Sequence, residues 1–516
     1  MIFYFLSNSY ELIKPKDVVG LYYDNWDDFG NKTTFNLIYY DNYGKPNQIG
    51  TIKIAYNTSS HNLSGNKTYS EFKLKTGKNF FLSLPNEYFS LGQDIDFYIN
   101  LKNLEKNKFE EILSNLNDIL YKPELITKFE HLNIFKSSLL RFINLKTIKK
   151  QFDRIIEGKL PLSEYKFKFI RKHTNNIGEL TLSFEVKPNS KPSSNIHAII
   201  GRNGAGKTSL LKDMVKSFLK TDTELHSSFY KEIYADRLFE TTNNLIEIEE
   251  DYFNKLVLVS FNIFDSYITN NKKYKNYYYI GLKESENKLK ELNSYFENDF
   301  YESLINCKII KSKKDRWLKA IQNLESDDNF FEMHLNKLMD EDITKEQIIT
   351  QIKNMSSGHA TVLVTISQLV DKVEEKTLVL FDEPESHLHP PLLSAFIRAL
   401  SDLLDNRNGV AIIATHSPII LQEIPKSCVW KIVRSGIETK AYRPKEETFG
   451  ENVGILTNEV FGFEVHKSGF HKLLQEQVDK GDSYEQILKN FNNQLGNEGQ
   501  FLLRTLLKFR KNNGEQ

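Results

Sequence analysis

The sequence predicts an α/β protein with a largely parallel sheet, preceded by a β-rich region and followed by a helical tail. Short apolar runs such as KLVLVS, KTLVLF and GVAIIAT alternate with helical patterns in the middle of the chain. Buried strands of a parallel sheet have this pattern. One such strand leads through a glycine-rich loop into a helix. The 516 residues, 12% of them aromatic, exclude a disordered chain.

Three regions are predicted along the chain. Residues 1–160 form an accessory domain, in which aromatic and β-branched runs give way to helical spacing. Residues 161–445 contain the alternating strands and helices, with a helical insertion at about 265–355. Residues 446–516 form a polar, helical C-terminal region.

Composition excludes several classes of protein. Lys and Arg number 68, as do Asp and Glu, so bulk charge does not favour coating of nucleic acid or membranes. The two cysteines, Cys307 and Cys428, are too far apart to imply a disulfide framework or a zinc site. No apolar run approaches the ~20 residues of a membrane-spanning helix, and the N-terminus is a poor signal peptide. We therefore expect a cytoplasmic protein.

The first motif that indicates chemistry is GRNGAGKT, which fits the phosphate-binding P-loop pattern between a strand and a helix. Its glycines let backbone N–H groups surround phosphates, and Lys207 can reach the β- and γ-phosphates. The Thr208 hydroxyl is a predicted Mg²⁺ ligand. The other predicted nucleotide-binding residues of the motif are Asn203, Gly204, Ala205, Gly206 and Ser209. The alternative is a plain glycine-rich turn.

Two later strands end in polar residues that suit hydrolysis. In TLVLFDEPE, Asp382 can bind Mg²⁺ and Glu383 can activate water as a general base. In GVAIIATHSP, His416 can hydrogen-bond the γ-phosphate. The alternatives are an acidic pair that caps a helix and a purely structural histidine. The preceding P-loop favours the functional interpretation, with Lys207, Glu383 and His416 as the catalytic set.

These motifs, with NMSSGHA before the acidic strand, resemble an ABC-type ATPase. The resemblance implies an ABC-type P-loop core that binds and hydrolyses ATP with Mg²⁺. MSSGH matches the family's signature, and Gly358 lies 24 residues before Asp382. The implied role of Ser356, Ser357 and Gly358 is to bind the γ-phosphate held by a second protomer. His359 stands where the family usually has Gln or Glu.

The string DEPESHLHPP resembles the soluble branch of the family, related to OLD, RecF and SMC proteins, more than transporters. The resemblance implies a Q-loop in the segment after KLVLVS, and Asn262 is the candidate there for the family's glutamine. Only 93 residues separate Asn262 from Met355, too few for an SMC coiled-coil arm. The 100 residues after His416 lack the apolar strands of the Toprim nuclease domain of OLD proteins.

The whole arrangement resembles ATPases of bacterial anti-phage defence systems, in particular Septu PtuA and its retron-associated relatives. The resemblance implies an ATP-sandwiched homodimer or a larger oligomer, and an HNH endonuclease partner of the PtuB type. Some members also associate with a reverse transcriptase and retron DNA. No membrane partner is expected. The alternative function is a RecF/SMC-like DNA repair ATPase without a toxin partner.

Two basic and aromatic segments could contact nucleic acid. Lys308 to Ala320 places six basic residues near Trp317, and Lys272 to Tyr279 interleaves lysines with tyrosines. Such mixtures suit phosphate contact with base stacking. The alternatives are a solvated helix face for the first segment and a half-buried strand for the second.

Overall fold

The computed structural model describes most of the chain. The residues outside the description are 7–15, 24–30, 58–66, 105–106, 142, 144, 157–163, 175–176, 222–226, 238–239, 250–251, 264–266, 270–273, 286–287, 292–294, 341, 468 and 515–516. The predicted boundary at residue 160 therefore lies outside the described residues. In the part that is described, no helix has the length and apolar character needed to cross a membrane.

A six-stranded sheet forms the centre of the N-terminal region. Its strands are β1 (Ile2–Leu6), β2 (Val18–Tyr23), β3 (Thr34–Tyr40), β4 (Pro46–Tyr56), β5 (Phe80–Phe81) and β6 (Tyr88–Gly92). They lie in the order β5-β1-β2-β3-β4-β6, in which only β1 and β2 pair in parallel. The β-rich prediction is confirmed, because aromatic and β-branched residues of these strands fill one core.

Helices complete the N-terminal core. They are α1 (Thr68–Thr76), α2 (Ile95–Lys102), α3 (Lys108–Asn115), α4 (Glu124–Phe129), a π-helical turn (Phe135–Leu139) and α5 (Leu145–Ile156). Their apolar residues join the same buried cluster as the sheet. Asp94 caps α2, because its side chain accepts a hydrogen bond from the Asp96 N–H.

The remaining strands build two larger sheets and a hairpin. They are β7 (Tyr165–Arg171), β8 (Leu180–Val186), β9 (Ile196–Gly201), β10 (Ser227–Arg237), β11 (Glu240–Glu247), β12 (Lys255–Ser260), β13 (Tyr277–Ile280), β14 (Lys283–Ser285), β15 (Lys288–Leu289), β16 (Thr377–Asp382), β17 (Val410–Thr415), β18 (Val429–Ser435) and β19 (Glu438–Tyr442). The order of the main sheet is β13-β12-β16-β17-β9-β18-β19, parallel except for the last pair. The α/β class with a largely parallel sheet is confirmed.

An antiparallel sheet in the order β11-β10-β7-β8 packs beside the main sheet. Apolar residues of β7 and β8 share a core with one face of the main sheet. The insertion predicted as helical at about 265–355 begins differently, with β13 and the β14–β15 hairpin. Among the residues of the insertion that the structure describes, the first helical turn is the π-helical one that starts at Tyr295. The prediction was wrong there because charged residues in a two-stranded hairpin resemble an exposed helix face.

The helices of the core and tail are α6 (Lys207–Leu219), α7 (Tyr301–Ile309), α8 (Lys311–Leu324), α9 (Asp328–Glu332), α10 (Lys345–Lys353), α11 (Ser357–Lys372), α12 (Pro390–Arg407), α13 (Pro418–Gln422), α14 (Val453–Lys467), α15 (Gly469–Asp479), α16 (Tyr484–Asn490) and α17 (Asn497–Gly514). Short π or 3₁₀ turns lie at Tyr295–Phe300, Leu335–Met339, Pro384–His387 and Lys426–Cys428. The helical prediction for the C-terminal region is confirmed by α14 to α17.

The basic segment around Trp317 lies between the two halves of the molecule. Trp317 is fully buried, and its indole N–H donates to the Ser367 hydroxyl at 2.8 Å. Arg316 forms ion pairs of 2.8 and 2.9 Å with Asp94 and Asp96 of the N-terminal region. The interpretation that nucleic-acid bases stack on Trp317 is therefore wrong. Its ring belongs to the core, and the neighbouring arginine holds two regions together.

Candidate nucleotide-binding site

The loop between β9 and α6 has the backbone of a phosphate-binding loop. Gly204 and Gly206 have φ values of +76° and +91°, in the left-handed region that favours glycine. A Cβ at Gly201 would lie 2.5 Å from the backbone oxygen of Ile432 on β18. Glycine at these positions therefore lets the chain turn tightly into the N-terminus of α6, where backbone N–H groups can bind an anion.

Parallel strand order brings the three predicted motifs to one edge of the sheet. Asp382 ends β16, His416 follows β17, and the P-loop follows β9, and these strands are neighbours. The carboxyl ends of parallel strands form the usual ligand-binding edge of such sheets. Asp382 is only 2% exposed and accepts hydrogen bonds from the hydroxyls of Thr208 at 3.3 Å and Tyr267 at 2.7 Å.

Lys207 lies folded back against its own loop. Its Nζ donates to the backbone oxygens of Gly201 at 3.0 Å and Arg202 at 3.2 Å. The same Nζ lies 2.8 Å from Nε2 of His416, and that ring nitrogen lies 3.0 Å from Oε1 of Glu383. Burial lowers the pKa of Lys207 below the ordinary lysine value, and the nearby carboxylates oppose this shift.

The acidic turn after β16 is strained and tied to the histidine. Glu383 has a φ of +49°, an unfavourable backbone conformation for a residue with a side chain. Glu385 accepts a hydrogen bond from the Thr415 hydroxyl at 2.8 Å and from the His416 N–H at 2.5 Å. The turn therefore holds one carboxylate toward the imidazole while the other fixes the backbone that carries it.

One cavity of about 1010 Å³ opens over these groups. The predicted residues that line it are Asn203, Gly204, Gly206, Lys207, Thr208, Ser209, Glu383 and His416. Asp382 lies beneath the cavity, in contact with Thr208. Ala205 does not line it: its side chain is 6% exposed and joins the apolar core.

The other predicted site residues lie apart from this cavity. Asn262 is half-buried and lies two residues beyond Ser260, which pairs with Asp382 across the sheet. Ser356 and Ser357 are exposed at the start of α11, on the helical part of the core. Gly358 follows them. The three signature residues do not line the cavity of their own chain.

Sequence reasoning missed several groups at the site. Arg434 from the β18–β19 hairpin and Phe461 from α14 both line the cavity. Neither lies in a recognisable motif, so no local signal indicated them. Tyr267 lies in the same segment after β12 as Asn262, and no sequence motif distinguishes it. Glu385 and Ser386 were part of the acidic string without an assigned role.

Comparison with known proteins places the chain in a family. It is 43% identical over 511 residues to Protein ea59 of Escherichia phage lambda, and the match covers 94% of each chain. The chain belongs to the ea59 protein family. The name of that relative states no activity, so the chemistry of the family has to be argued from the site.

Residues 236–422 match a family described as "AAA domain, putative AbiEii toxin, Type IV TA system". This range contains the acidic strand and His416 but begins after the P-loop. Solved structures that resemble the chain include the ADP form of the ABC-transporter cassette MJ1267. The match has 16% sequence identity and a TM-score of 0.29, and it covers 55% of this chain and 93% of the cassette. The SMC head domain from Thermotoga maritima matches with 10% sequence identity and a TM-score of 0.30, and the match covers 55% of this chain and 99% of that domain. The core is an α/β fold in which a P-loop sequence lies at the edge of a largely parallel sheet, and part of this core matches an AAA domain model.

Proposed function

We propose that this chain is a Mg²⁺-dependent ATPase whose protomers close around ATP and regulate an associated nuclease effector. The observation that supports hydrolysis best is the convergence of Lys207, Glu383 and His416 at one cavity beside the P-loop. Phosphoryl transfer needs positioning and charge stabilisation more than covalent chemistry. A cationic lysine, a carboxylate and an imidazole at one phosphate-binding loop supply both.

The residues beneath the loop suit a magnesium ion. The Thr208 hydroxyl and the Asp382 carboxylate lie 3.3 Å apart and are oxygen donors, which Mg²⁺ prefers. Thr208 and Asp382 would hold the ion. Bound there, Mg²⁺ neutralises charge on the β- and γ-phosphates. The Tyr267 hydroxyl, which donates to the other oxygen of Asp382, keeps this carboxylate oriented.

Each side chain around the phosphates then has a separate role in hydrolysis. Lys207 exchanges its contacts with loop carbonyls for the β- and γ-phosphates of ATP. Glu383, which is exposed to the cavity, accepts a proton from the attacking water. His416 hydrogen-bonds the γ-phosphate, while Glu385 fixes its backbone.

A second protomer would complete the site through its signature. Ser356 and Ser357 are exposed at a helix N-terminus, which favours contact with an anion from another molecule. We expect Glu383→Gln to form dimers with ATP, because the nucleotide is trapped unhydrolysed. Adding Ser357→Arg should prevent the dimer but preserve ATP affinity. Light scattering with and without ATP measures the first effect and calorimetry the second, and dimers that persist in the double variant would contradict this arrangement.

An effector partner is the remaining element of the proposal. The matched family description names a putative toxin of a type IV toxin–antitoxin system, and the ea59 relative is encoded by a phage. Both support a role in conflict between phage and host. The HNH endonuclease partner, and a reverse transcriptase with retron DNA, are proposed from the resemblance to Septu and retron ATPases.

Affinity purification of the tagged chain from its host, followed by mass spectrometry, tests the partner. A stoichiometric HNH nuclease would support defence, and a reverse transcriptase or short DNA would place the protein in a retron. A chain that purifies alone and hydrolyses ATP faster with DNA would instead support a repair ATPase. The Lys207→Ala variant serves as the matched control for nucleotide-dependent capture.

A further inference from the structure

A cluster of one carboxylate and two imidazoles lies outside the nucleotide cavity. Asp327 precedes α9, His359 lies in the first turn of α11, and His389 precedes α12. Nε2 of His359 lies 3.0 Å from Oδ1 of Asp327, and Nε2 of His389 lies 3.4 Å from Oδ2. Three segments that are distant in sequence therefore meet at one carboxylate.

These separations are those of ligands around a small metal ion. Nitrogen and oxygen ligands at about 2.0–2.2 Å from a tetrahedral ion lie roughly 3.3 Å from one another. One ligand atom from each of the three residues lies within 4.8 Å of the others, which is close enough for the three to share one ion. Two histidines and one carboxylate suit Zn²⁺ and similar divalent transition metals.

The surroundings orient the ligands as metal sites require. Nδ1 of His359 lies 2.6 Å from the Ser356 hydroxyl, which leaves Nε2 directed at Asp327. Oδ1 of Asp327 also accepts hydrogen bonds from the N–H groups of Asn329 and Phe330. Outer hydrogen bonds of this kind fix the ring and carboxylate of metal ligands.

Burial is graded across the cluster. The side chains of His359 and Asp327 are 9% and 8% exposed, whereas that of His389 is 45% exposed. A buried pair with one exposed ligand gives an ion a path of entry from solvent. It also leaves a fourth coordination position open to water, as in zinc sites with three protein ligands.

We propose that Asp327, His359 and His389 form a binding site for a divalent transition-metal ion of the Zn²⁺ type. The ion would join the start of the signature helix α11 to the segment that runs from Glu383 to His389. Because His359 contacts Ser356, occupancy would also fix that serine. This last consequence for the nucleotide site rests on the proposed function, whereas metal binding itself does not.

The test uses the full chain, stripped with chelator and free of nucleotide, titrated with Zn²⁺ by calorimetry in excess Mg²⁺. We expect one tight Zn²⁺ site per chain, and affinity at least tenfold lower in His389→Ala. The exposed His131 provides the matched control, and His131→Ala should bind as the wild type does. Absence of a tight site in the wild type, or unchanged affinity in His389→Ala, would overturn the proposal.

Two further measurements keep the result interpretable. Co²⁺ in place of Zn²⁺ should give the visible absorption of four-coordinate cobalt, and a purely six-coordinate spectrum would also count against the site. Lys207→Ala should bind Zn²⁺ normally, because its side chain is in the nucleotide cavity. Failure of the ATPase proposal would therefore leave the metal result standing. If His389→Ala folds poorly by circular dichroism, His389→Gln gives the same comparison with less change in volume.

Discussion

The ammonium group of Lys207 lies 2.8 Å from Nε2 of His416. That nitrogen is also 3.0 Å from Oε1 of Glu383, and it cannot accept a hydrogen bond from the lysine and donate one to the carboxylate at the same time. The imidazole therefore has two alternative partners. We expect bound phosphates to draw Lys207 away and to leave this nitrogen to Glu383 or the γ-phosphate, which would link nucleotide binding to the arrangement of these side chains.

Removal of the P-loop lysine should weaken nucleotide binding. Lys207→Ala loses a charged donor to the phosphates, and such hydrogen bonds are worth about 1.5–3 kcal/mol, or roughly a ten- to hundredfold change in Kd. Calorimetry with a non-hydrolysable ATP analogue measures this change. Lys187→Ala is the control, since that side chain is 61% exposed. Equal affinity in wild type and Lys207→Ala would contradict the assignment of the P-loop.

Loss of the imidazole should affect turnover more than binding. His416→Ala removes a group that we place at the γ-phosphate, and removal of one transition-state donor costs about a hundredfold in kcat. Phosphate release at saturating ATP measures kcat, and calorimetry measures affinity. The exposed His173 supplies the control His173→Ala. A variant that lost affinity and kept kcat would mean that His416 contributes to nucleotide binding and not to stabilisation of the transition state.

The ion pairs between the N-terminal region and the core should matter for stability. Asp94 is 10% exposed at its side chain and contacts Arg316 at 2.8 Å and Arg407 at 2.9 Å. Asp94→Asn keeps a side chain that can cap the helix but removes the negative charge beside the buried Arg316 and Arg407. We expect this to lower the free energy of unfolding by about 3–5 kcal/mol. Urea unfolding measures the loss. Asp96→Asn is the matched control, because Asp96 is 30% exposed and should contribute less.

The Asp94 carboxylate should also make the free energy of unfolding depend on pH. Burial raises the pKa of Asp94, but the guanidinium groups of Arg407 and Arg316 outweigh it and hold this pKa well below its usual range. A depressed carboxylate pKa stabilises the fold above the unfolded value of about 3.9, and the contribution is lost as pH falls through the folded pKa. The difference in the free energy of unfolding between wild type and Asp94→Asn should therefore persist from pH 7 to 5 and shrink below about pH 4. A difference that shrinks already near pH 6 would contradict this origin.

The parts of the site that sequence could predict are those set by local chain chemistry. A P-loop requires glycines at fixed spacing, and an apolar run that ends in DE indicates a buried strand with its acids at the edge, so Lys207 and Asp382 could be placed. Arg434 and Phe461 reach the cavity through the path of the later chain, which no local pattern reveals. Trp317 looked exposed among basic residues because the acids that neutralise Arg316 lie more than 200 positions earlier.

ATP turnover by Glu383→Gln against wild type tests the central claim most directly. Glu385→Gln is the matched control, because its amide oxygen can still accept the hydrogen bonds from Thr415 and His416. With phosphate release measured at saturating ATP and Mg²⁺, we expect Glu383→Gln to lose about 10²- to 10⁴-fold in kcat while still binding ATP. Glu385→Gln should lose far less. Near-normal turnover in Glu383→Gln would contradict the assignment of this carboxylate as the general base.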